Sequence, residues 1–255
     1  MEKAIKLNVF NFNKLDESKI VKDYDFIYLG SEFCENLLDL DYIKPIKKLN
    51  IWGKRICFLT PIVTDKGIKL IDFLLKEISK IKFKNRLEIS VNDFGVLNLI
   101  YRKYKGRFTI NIGRHLSRNF FTIKKDMIEI STVEGINFLN SLNIKRFEIS
   151  NFSKMPSIDY KRKKNKFKLT MFYPYTHVST TRMCMLGMPD IRHEDSIDGI
   201  NCNKECLICD YKVKNQKIKE ELIIKGNSVF VRYENNFIMD RVKLNVDRIV
   251  FSINS

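Results

Sequence analysis

The chain has 255 residues, a formal net charge of +16 and a hydrophobic content of 44%. This apolar content excludes a disordered chain, and the length suits one large domain with or without a small appendage. Residues 1–14 lack the long apolar region of a signal peptide, and no run of about 18 apolar residues predicts a membrane span. We therefore expect a cytoplasmic protein whose thiols stay reduced.

The positive charge predicts attraction to an anionic partner, and RNA is the first candidate. The lysines are spread along the chain, however, and only the run KRKKNKFK at 161–168 is dense. Spread lysines are also typical of chains that are generally rich in Lys, Ile and Asn. Charge alone therefore keeps RNA as one candidate partner and does not select it.

Short apolar, β-branched runs recur through the first 175 residues, and helical patterns separate them. The predicted strands are 4–10, 26–30, 56–63, 87–92, 108–112, 127–131, 146–150 and 168–174. Apolar residues at i, i+3, i+4 and i+7 predict amphipathic helices. These helices are 65–81, 93–104 and 132–142.

Eight strands that alternate with helices favour a parallel sheet, and eight is the number that closes a (β/α) barrel. We therefore predict an α/β fold with a TIM-barrel-like domain over residues 1–175; a doubly wound open sheet is the competing fold. Residues 176–212 break the pattern and form a cysteine-rich segment. Residues 213–255 contain alternating runs with GN and NN turn signals, which predict a small C-terminal β element.

The stretch CNKECLICD at 202–210 places three thiols within eight positions. Clustered thiols in a cytoplasmic chain are typical of metal binding. Together with an upstream cysteine the spacing is Cys184-x17-Cys202-x3-Cys206-x2-Cys209. Four thiolates this close suit either a tetrahedral zinc ion or a cubane iron–sulfur cluster, and the spacing excludes neither.

Cys34 is a further candidate ligand although it lies far upstream. In a closed barrel the C-terminal ends of the strands open onto one face, where different loops assemble a site. Cys34 follows the second predicted strand and Cys184 follows the eighth, so barrel geometry brings the two loops within reach of each other. Cys209 is the local alternative to Cys34. The sixth cysteine, Cys57, lies mid-strand among apolar residues and is predicted to be a core residue.

Five stretches between residues 20 and 210 carry a resemblance. In order they are DYDFIYLGSEFCENL, EISVNDFGVLNLI, NIGRHLSRN, FLNSLNIKRFEISN and YTHVSTTRMC. They resemble the U-thirty-two peptidase-like (collagenase-like protease) family, and within it the branch of subunits for oxygen-independent ubiquinone hydroxylation. The resemblance implies a [4Fe-4S] cluster on four cysteines and a role in anaerobic hydroxylation, not proteolysis. Relatives hydroxylate tRNA or ribosomal RNA bases, with prephenate implicated as the oxygen donor.

By position, the resemblance implies Cys34, Cys184, Cys202 and Cys206 as the cluster ligands. The chain departs from the family in two ways: the gap between Cys184 and Cys202 is longer, and Cys209 is an extra thiol. The fourth ligand is therefore either Cys34 or Cys209. Barrel geometry and the resemblance both favour Cys34.

Polar residues that follow the predicted strands are expected on the same barrel face. Arg114, Arg182 and Asn92 are candidates for substrate binding, since a guanidinium can hold a carboxylate bidentately. Asp93 and His177 are candidates for proton transfer. Simpler roles compete: Asp93 can cap the next helix, Arg114 can pair with a loop carboxylate, and His177 can be a satisfied buried side chain.

The resemblance therefore implies an iron–sulfur hydroxylase, or a subunit of one, for an aromatic or nucleobase substrate. It also implies a second family member as the heterodimer partner. The alternative is a basic RNA-binding or tRNA- or rRNA-modifying protein with a cysteine-bound zinc ion or cluster. Neither a G-x-S-x-G nor an H-E-x-x-H motif occurs, so we predict no protease activity.

Overall fold

The computed structural model describes residues 1–14, 22–124, 127–130, 133–151, 157–158, 167–187, 202–233 and 246–252. Its strands are β1 (Glu2–Leu7), β2 (Phe26–Gly30), β3 (Arg55–Thr60), β4 (Glu88–Val91), β5 (Thr109–Ile112), β6 (Phe121–Lys124), β7 (Met127–Ile130), β8 (Arg146–Ser150), β9 (Ser157–Ile158), β10 (Lys168–Tyr173), β11 (Tyr175–Thr180), β12 (Tyr211–Val213), β13 (Leu222–Lys225), β14 (Ser228–Arg232) and β15 (Arg248–Ser252). The basic run at 161–166 lies outside the described residues.

Eight of these strands form a closed barrel in the order β1-β15-β10-β8-β5-β4-β3-β2. Every neighbouring pair in the barrel is parallel. The predicted (β/α) TIM-barrel-like fold is confirmed, and the open doubly wound sheet is excluded.

The described helices are α1 (Val9–Lys14), α2 (Ile43–Ile51), α3 (Asp65–Ser79), α4 (Phe94–Lys103), α5 (Arg114–Ser117) and α6 (Val133–Ser141). The three predicted helices correspond to α3, α4 and α6. In α3 the Thr64 side chain caps the N-terminus by accepting a hydrogen bond from Gly67 N. One apolar face of α3, which includes Ile71 and Leu75, is fully buried against the barrel. No helix in the described part of the chain is both long and apolar enough to cross a membrane.

The strand assignment from the sequence was wrong in two places. Residues 127–130 do not enter the barrel: β7 pairs antiparallel with β6 and parallel with β9 in a separate sheet. The eighth barrel strand is instead β15, which lies between β10 and β1. The barrel therefore extends beyond residue 175 and takes its last strand from the segment assigned to the C-terminal β element. The physical reason is that alternation identifies a strand but does not identify the strand it pairs with.

A four-stranded antiparallel sheet, in the order β11-β14-β13-β12, is inserted along the chain between the barrel strands β10 and β15. We call it the small sheet. The predicted GN turn joins β13 to β14, with Lys225 opposite Ser228. Gly226 has a φ of +59°, which explains why glycine is favoured at this turn position.

The N-terminal end of the barrel interior is closed by a charge network around Arg248, whose side chain is 1% exposed. Its guanidinium donates to both carboxylate oxygens of Glu88 (2.7 and 3.0 Å), to Glu2 Oε2 (2.8 Å) and to the Tyr28 hydroxyl (2.8 Å). Arg55 donates to the other oxygen of Glu2 at 2.6 Å. The buried charge at this end is thus matched by direct partners.

Candidate functional site

A cavity of about 140 Å³ lies at the C-terminal end of the barrel, between the barrel mouth and the small sheet. Its barrel side includes the residues that follow β2, from Ser31 to Cys34, and its other side includes Lys225–Ser228. Cys34 and Cys206 both line it. The mouth face that the fold predicts for a site therefore carries two of the predicted cysteine ligands.

Cys34 is held directly after β2 by local structure. Its N–H donates to Ser31 Oγ at 3.2 Å, and it precedes a short 3₁₀ helix, Glu35–Leu37. Glu35 anchors that helix by accepting hydrogen bonds from Thr64 N and Thr64 Oγ1, both at 2.7 Å. Burial raises the pKa of the Cys34 thiol to about 11, opposed by a hydrogen bond from Asn36 N–H.

Four predicted ligands, Cys34, Cys184, Cys202 and Cys206, lie close enough for their charges to change the pKa of Cys34 and of Cys206. The negative charges of Cys202 and Cys184 add to the rise in the pKa of Cys34. Burial raises the pKa of Cys206 to about 12, with further contributions from Cys34, Cys184 and Cys202. Cys184 Sγ also accepts a hydrogen bond from Gly187 N at 3.2 Å. The structure thus brings Cys34, Cys184, Cys202 and Cys206 into one neighbourhood.

Cys209 occupies a different position. It is exposed, and its thiol donates to the carbonyl oxygen of Glu205 at 3.2 Å. Its charge acts on Lys225 but is not among the leading influences on Cys34 or Cys206. Cys209 therefore differs from Cys34 in its exposure and in its contacts, and which of the two completes the set stays a prediction.

The predicted donors are all cysteine sulfurs, the ligand type that zinc ions and iron–sulfur clusters take. Raised pKa values mean that Cys34 and Cys206 do not hold bare thiolates at neutral pH, whereas a bound metal deprotonates its thiol ligands. Among the described residues, no group of three or more His, Cys, Asp and Glu side chains is spaced to hold a metal ion. The cysteines nevertheless influence one another, because charges interact well beyond the distance of a metal–sulfur bond.

The turn of the small sheet connects the cysteine-bearing segments. Asn227 Nδ2 donates to Phe33 O (2.8 Å), beside Cys34, and to Thr181 O (2.9 Å), three residues before Cys184. Gly226 O accepts from Met185 N at 3.1 Å. A Cβ on Gly226 would stand 3.3 Å from Cys206 Sγ. This single turn therefore touches the segments of Cys34, Cys184 and Cys206.

An ion pair links the cysteine-rich segment to the loop after β2. Lys204 Nζ lies 2.7 Å from Asp39 Oδ2, and Lys204 has a φ of +61° at the start of the 3₁₀ helix Glu205–Leu207. Cys206 lies in this 3₁₀ helix and Cys34 lies at the start of the loop. The contact holds the two thiol segments on the same side of the mouth.

Arg114, a predicted substrate ligand, is already paired. It is 3% exposed and donates from Nε and Nη2 to the two carboxylate oxygens of Glu32, both at 2.7 Å. Lys6 Nζ binds the same carboxylate. Burial would raise the pKa of Glu32, but the charges of Arg114 and Lys6 outweigh it and hold the pKa at about 2. The simpler role, a pair with a loop carboxylate, describes Arg114.

His177, a predicted proton-transfer residue, is buried and stacked on Phe33 with ring centroids 4.2 Å apart. Its Nε2 is 2.6 Å from Thr180 Oγ1, while Nδ1 has no hydrogen-bond partner in the described structure. Burial, together with the charges of Arg114 and Arg118, lowers the pKa of His177 to about 3. The ring is neutral at physiological pH and forms part of the wall between barrel and small sheet.

The remaining predicted residues have local roles or lie at the surface. Asp93 caps α4 by accepting from Gly95 N (2.6 Å) and Val96 N (3.2 Å). Asn92 is buried; it donates to Thr60 O at 3.0 Å and accepts from His115 N at 2.9 Å. Arg182 is exposed. None of these three side chains is among the residues that line the cavity.

Sequence reasoning missed three charged residues of this region: Glu32, Glu148 and Lys225. Glu148 is fully buried in the barrel interior, accepts from Ser90 Oγ at 2.6 Å, and leaves Oε1 without a partner in the described structure. Burial raises the pKa of Glu148 to about 8, and the charge of Glu32 adds to the rise. The sequence did indicate Glu32, because this residue follows a predicted barrel strand and such residues lie on the mouth face. No sequence pattern indicated Lys225, because its position depends on how the small sheet packs on the barrel.

Comparisons with known proteins add little. No protein-family profile matches the chain, and no curated protein matches it. The chain is similar to a solved structure described as a novel glycoside hydrolase family 18 N-acetylglucosaminidase from Paenibacillus barengoltzii. The match covers 98% of this chain and 94% of the other, at 9% sequence identity and a TM-score of 0.36. A similarity at this level supports no statement about activity.

Proposed function

We propose that the protein carries a [4Fe-4S] cluster on Cys34, Cys184, Cys202 and Cys206, as a member of the U-thirty-two peptidase-like family. It would act in oxygen-independent hydroxylation of an aromatic or nucleobase substrate. The carrying observation is that Cys34, which follows β2, and Cys206 line one cavity at the mouth of the closed barrel, while Asn227 bonds the segments of Cys34 and Cys184 to the same turn. An isolated zinc knuckle built from the local cysteines alone would not involve Cys34.

The cavity beside Cys34 and Cys206 supports the substrate class. Aromatic rings form much of its apolar surface: Phe33, Tyr42, Tyr175 and Phe230. Its volume of about 140 Å³ is close to that of an engineered protein cavity that binds benzene. The space therefore suits one ring of a substrate.

A bound cluster would supply electron transfer or substrate activation at this cavity. The chain itself contributes position and shielding. The small sheet covers the mouth, and the stacked rings of Phe33 and His177 exclude water from one side of the site. The Glu32–Arg114 pair fixes the loop that carries Cys34, since Glu32 and Cys34 are two residues apart. These residues hold the site in shape and are not assigned a step in the reaction.

An exposed apolar edge next to the cysteine-rich segment supports the proposal of a partner subunit. Ile208, Tyr211 and Val213 are exposed large hydrophobic residues. Tyr211 and Val213 point to the same face of β12, because strand residues two apart share a face. β12 lies at the end of the small sheet, so its outer edge is a natural pairing surface for a second protein.

The first test is anaerobic purification followed by iron, sulfide and zinc analysis with an absorption spectrum. We expect about four iron and four sulfide per chain, with the colour lost in air. Stoichiometric zinc without sulfide would overturn the proposal and favour a zinc-containing binding protein.

The second candidate function is RNA binding or RNA modification, which the net charge of +16 favours. If this charge only attracts phosphates, RNA binding will be weak, non-specific and steeply reduced by salt. We expect this weak mode. Tight, sequence-selective binding of a tRNA or ribosomal RNA fragment near physiological salt would rank RNA modification first.

A further inference from the structure

Lys225, the last residue of β13, places its ammonium group inside the site. Its Nζ atom is buried and has no hydrogen-bond partner among the described residues. It lines the same cavity as Cys34 and Cys206. A buried ammonium group without a partner is costly, because it has lost its hydration and gained no replacement. Lys225 Nζ is therefore available to donate to an anionic or hydrogen-bond-accepting group in the cavity.

Two other cations that line the cavity, buried Arg114 and half-buried Lys6, already have a partner. Arg114 is bound bidentately by Glu32, and Lys6 binds the same carboxylate. The negative charges that act on Lys225 come from Cys206, Asp210 and Cys209. Asp210 and Cys209 are exposed, whereas Cys206 is buried. Among these three, the buried group that acts on Lys225 is therefore Cys206.

The fixed backbone next to Lys225 strengthens this placement. Gly226 approaches Cys206 so closely that an added Cβ would stand 3.2 Å from Cys206 Cβ. Asn227 is bonded to the segments of Cys34 and Cys184. The backbone of Lys225 is therefore held next to the turn that connects the cysteine segments, and its side chain extends from this fixed position.

We propose that Lys225 donates a hydrogen bond to the sulfur shell of the cluster and makes the cluster easier to reduce. This inference rests on the proposed function, because it needs the cluster. Reduction adds one negative charge to a centre that four thiolates already make anionic. A buried positive charge beside that centre stabilises the reduced form more than the oxidised form. Hydrogen bonds to the sulfur atoms and local charge are among the factors that set such potentials.

The test compares Lys225→Met, Lys225→Arg and Lys212→Met, each purified anaerobically and titrated with mediators at one pH. Lys212 lies on β12 of the same sheet, is exposed and pairs with Glu221 at 3.6 Å, so it is a matched control for net charge. At a fixed solution potential, Lys225→Met should lower the ratio of reduced to oxidised cluster about tenfold. For a one-electron couple this is a fall of about 59 mV in midpoint. Lys225→Arg should recover most of the shift, and Lys212→Met should change the ratio less than twofold.

The outcomes separate the two claims. Wild-type protein that contains no iron and sulfide overturns the proposed function and this inference together. A full cluster in Lys225→Met with a ratio within twofold of wild type overturns this inference alone. If Lys225→Met binds less than half of the wild-type iron, the titration is made on Lys225→Gln, which keeps an N–H donor but lacks the charge. An unshifted midpoint in Lys225→Gln then overturns the assigned role of the charge.

Discussion

The two ends of the barrel differ in how they hold buried charge. At the N-terminal end, Arg248 is bonded directly to Glu2 and Glu88. At the C-terminal end, Glu32 is paired with Arg114, yet Lys225 Nζ remains without a hydrogen-bond partner in the described structure. A matched network stabilises the fold, whereas a buried cation without a partner, in a cavity that Cys34 and Cys206 also line, is available to a ligand. The two ends of the barrel thus differ in whether their buried cations are already paired.

The largest expected effect is at the C-terminal end. Cys34→Ala should lose most of its iron, because it removes the thiol that we propose as the cluster ligand from the barrel loop. Cys209→Ala is the matched control and should keep its iron, since Cys209 is exposed and bonded to Glu205 O. Iron per chain in anaerobically purified protein measures both, with circular dichroism to confirm folding. The reverse result would assign the site to the local cysteines.

Substitutions at the N-terminal end of the barrel should change the free energy of unfolding and leave the iron content unchanged. Arg248→Met leaves the buried carboxylate of Glu88 without its main partner, and we expect a loss of about 3–5 kcal/mol in the free energy of unfolding. Arg55→Met is the control at the same end. Its side chain is 39% exposed, so its pair with Glu2 should contribute only about 0–1 kcal/mol. Urea unfolding under anaerobic conditions measures both changes, and equal losses would contradict a matched core around Arg248.

Glu148 lies between the two networks and predicts a pH dependence. Its folded pKa of about 8 is above the ordinary value of 4.5, so the neutral carboxyl stabilises the fold fully below about pH 4.5. That stability is lost as the pH rises towards 8, by about 1.4 kcal/mol per pH unit. Glu148→Gln keeps the shape and removes the titration.

Unfolding curves of wild type and Glu148→Gln at pH 5, 6.5 and 8 test this point. As the pH rises, the free energy of unfolding of the wild type should fall steadily relative to that of Glu148→Gln. Parallel pH profiles would show that Glu148 is ionised in the folded protein at neutral pH.

The smallest effect is expected at the turn of the small sheet. Asn227→Ala leaves the carbonyl groups of Phe33 and Thr181 without this donor, which should cost about 1–3 kcal/mol and lower iron retention. Asn215→Ala removes an exposed side chain bonded to Lys217 N and should change stability by less than about 0.5 kcal/mol. Unchanged iron retention in Asn227→Ala would mean that the turn does not organise the cysteines.

Local features of this fold were predictable, and pairings over long distances were not. The apolar face of α3 and the cap at Asp93 follow from residues within a few positions of each other. The partner of Arg114 is Glu32, 82 positions away, and no local pattern indicates it. The same limit explains why 127–131 was placed in the barrel and 248–252 was not: each reads as a strand, but only tertiary packing selects its neighbours.

The predicted cysteine site depends on both local and long-range features. The spacing in CNKECLICD predicts metal binding, and barrel topology predicts Cys34 as a ligand. The topological argument for Cys34 was partly wrong, because the last barrel strand is β15 and Cys184 follows β11 of the small sheet. The proximity of Cys34 and Cys184 therefore depends on the docking of the small sheet through Asn227, which sequence patterns do not encode locally.

The position of β15 has a consequence during translation. Residues 248–252 leave the ribosome after both the cysteine-rich segment and the small sheet, yet they occupy the gap between β1 and β10. Until they emerge, the nascent chain has two unpaired strand edges, which are open to pairing with other chains. The cysteine segments and the small sheet can thus meet while the barrel is still open, and insertion of β15, whose Ser252 lines the cavity, then completes that part of the wall.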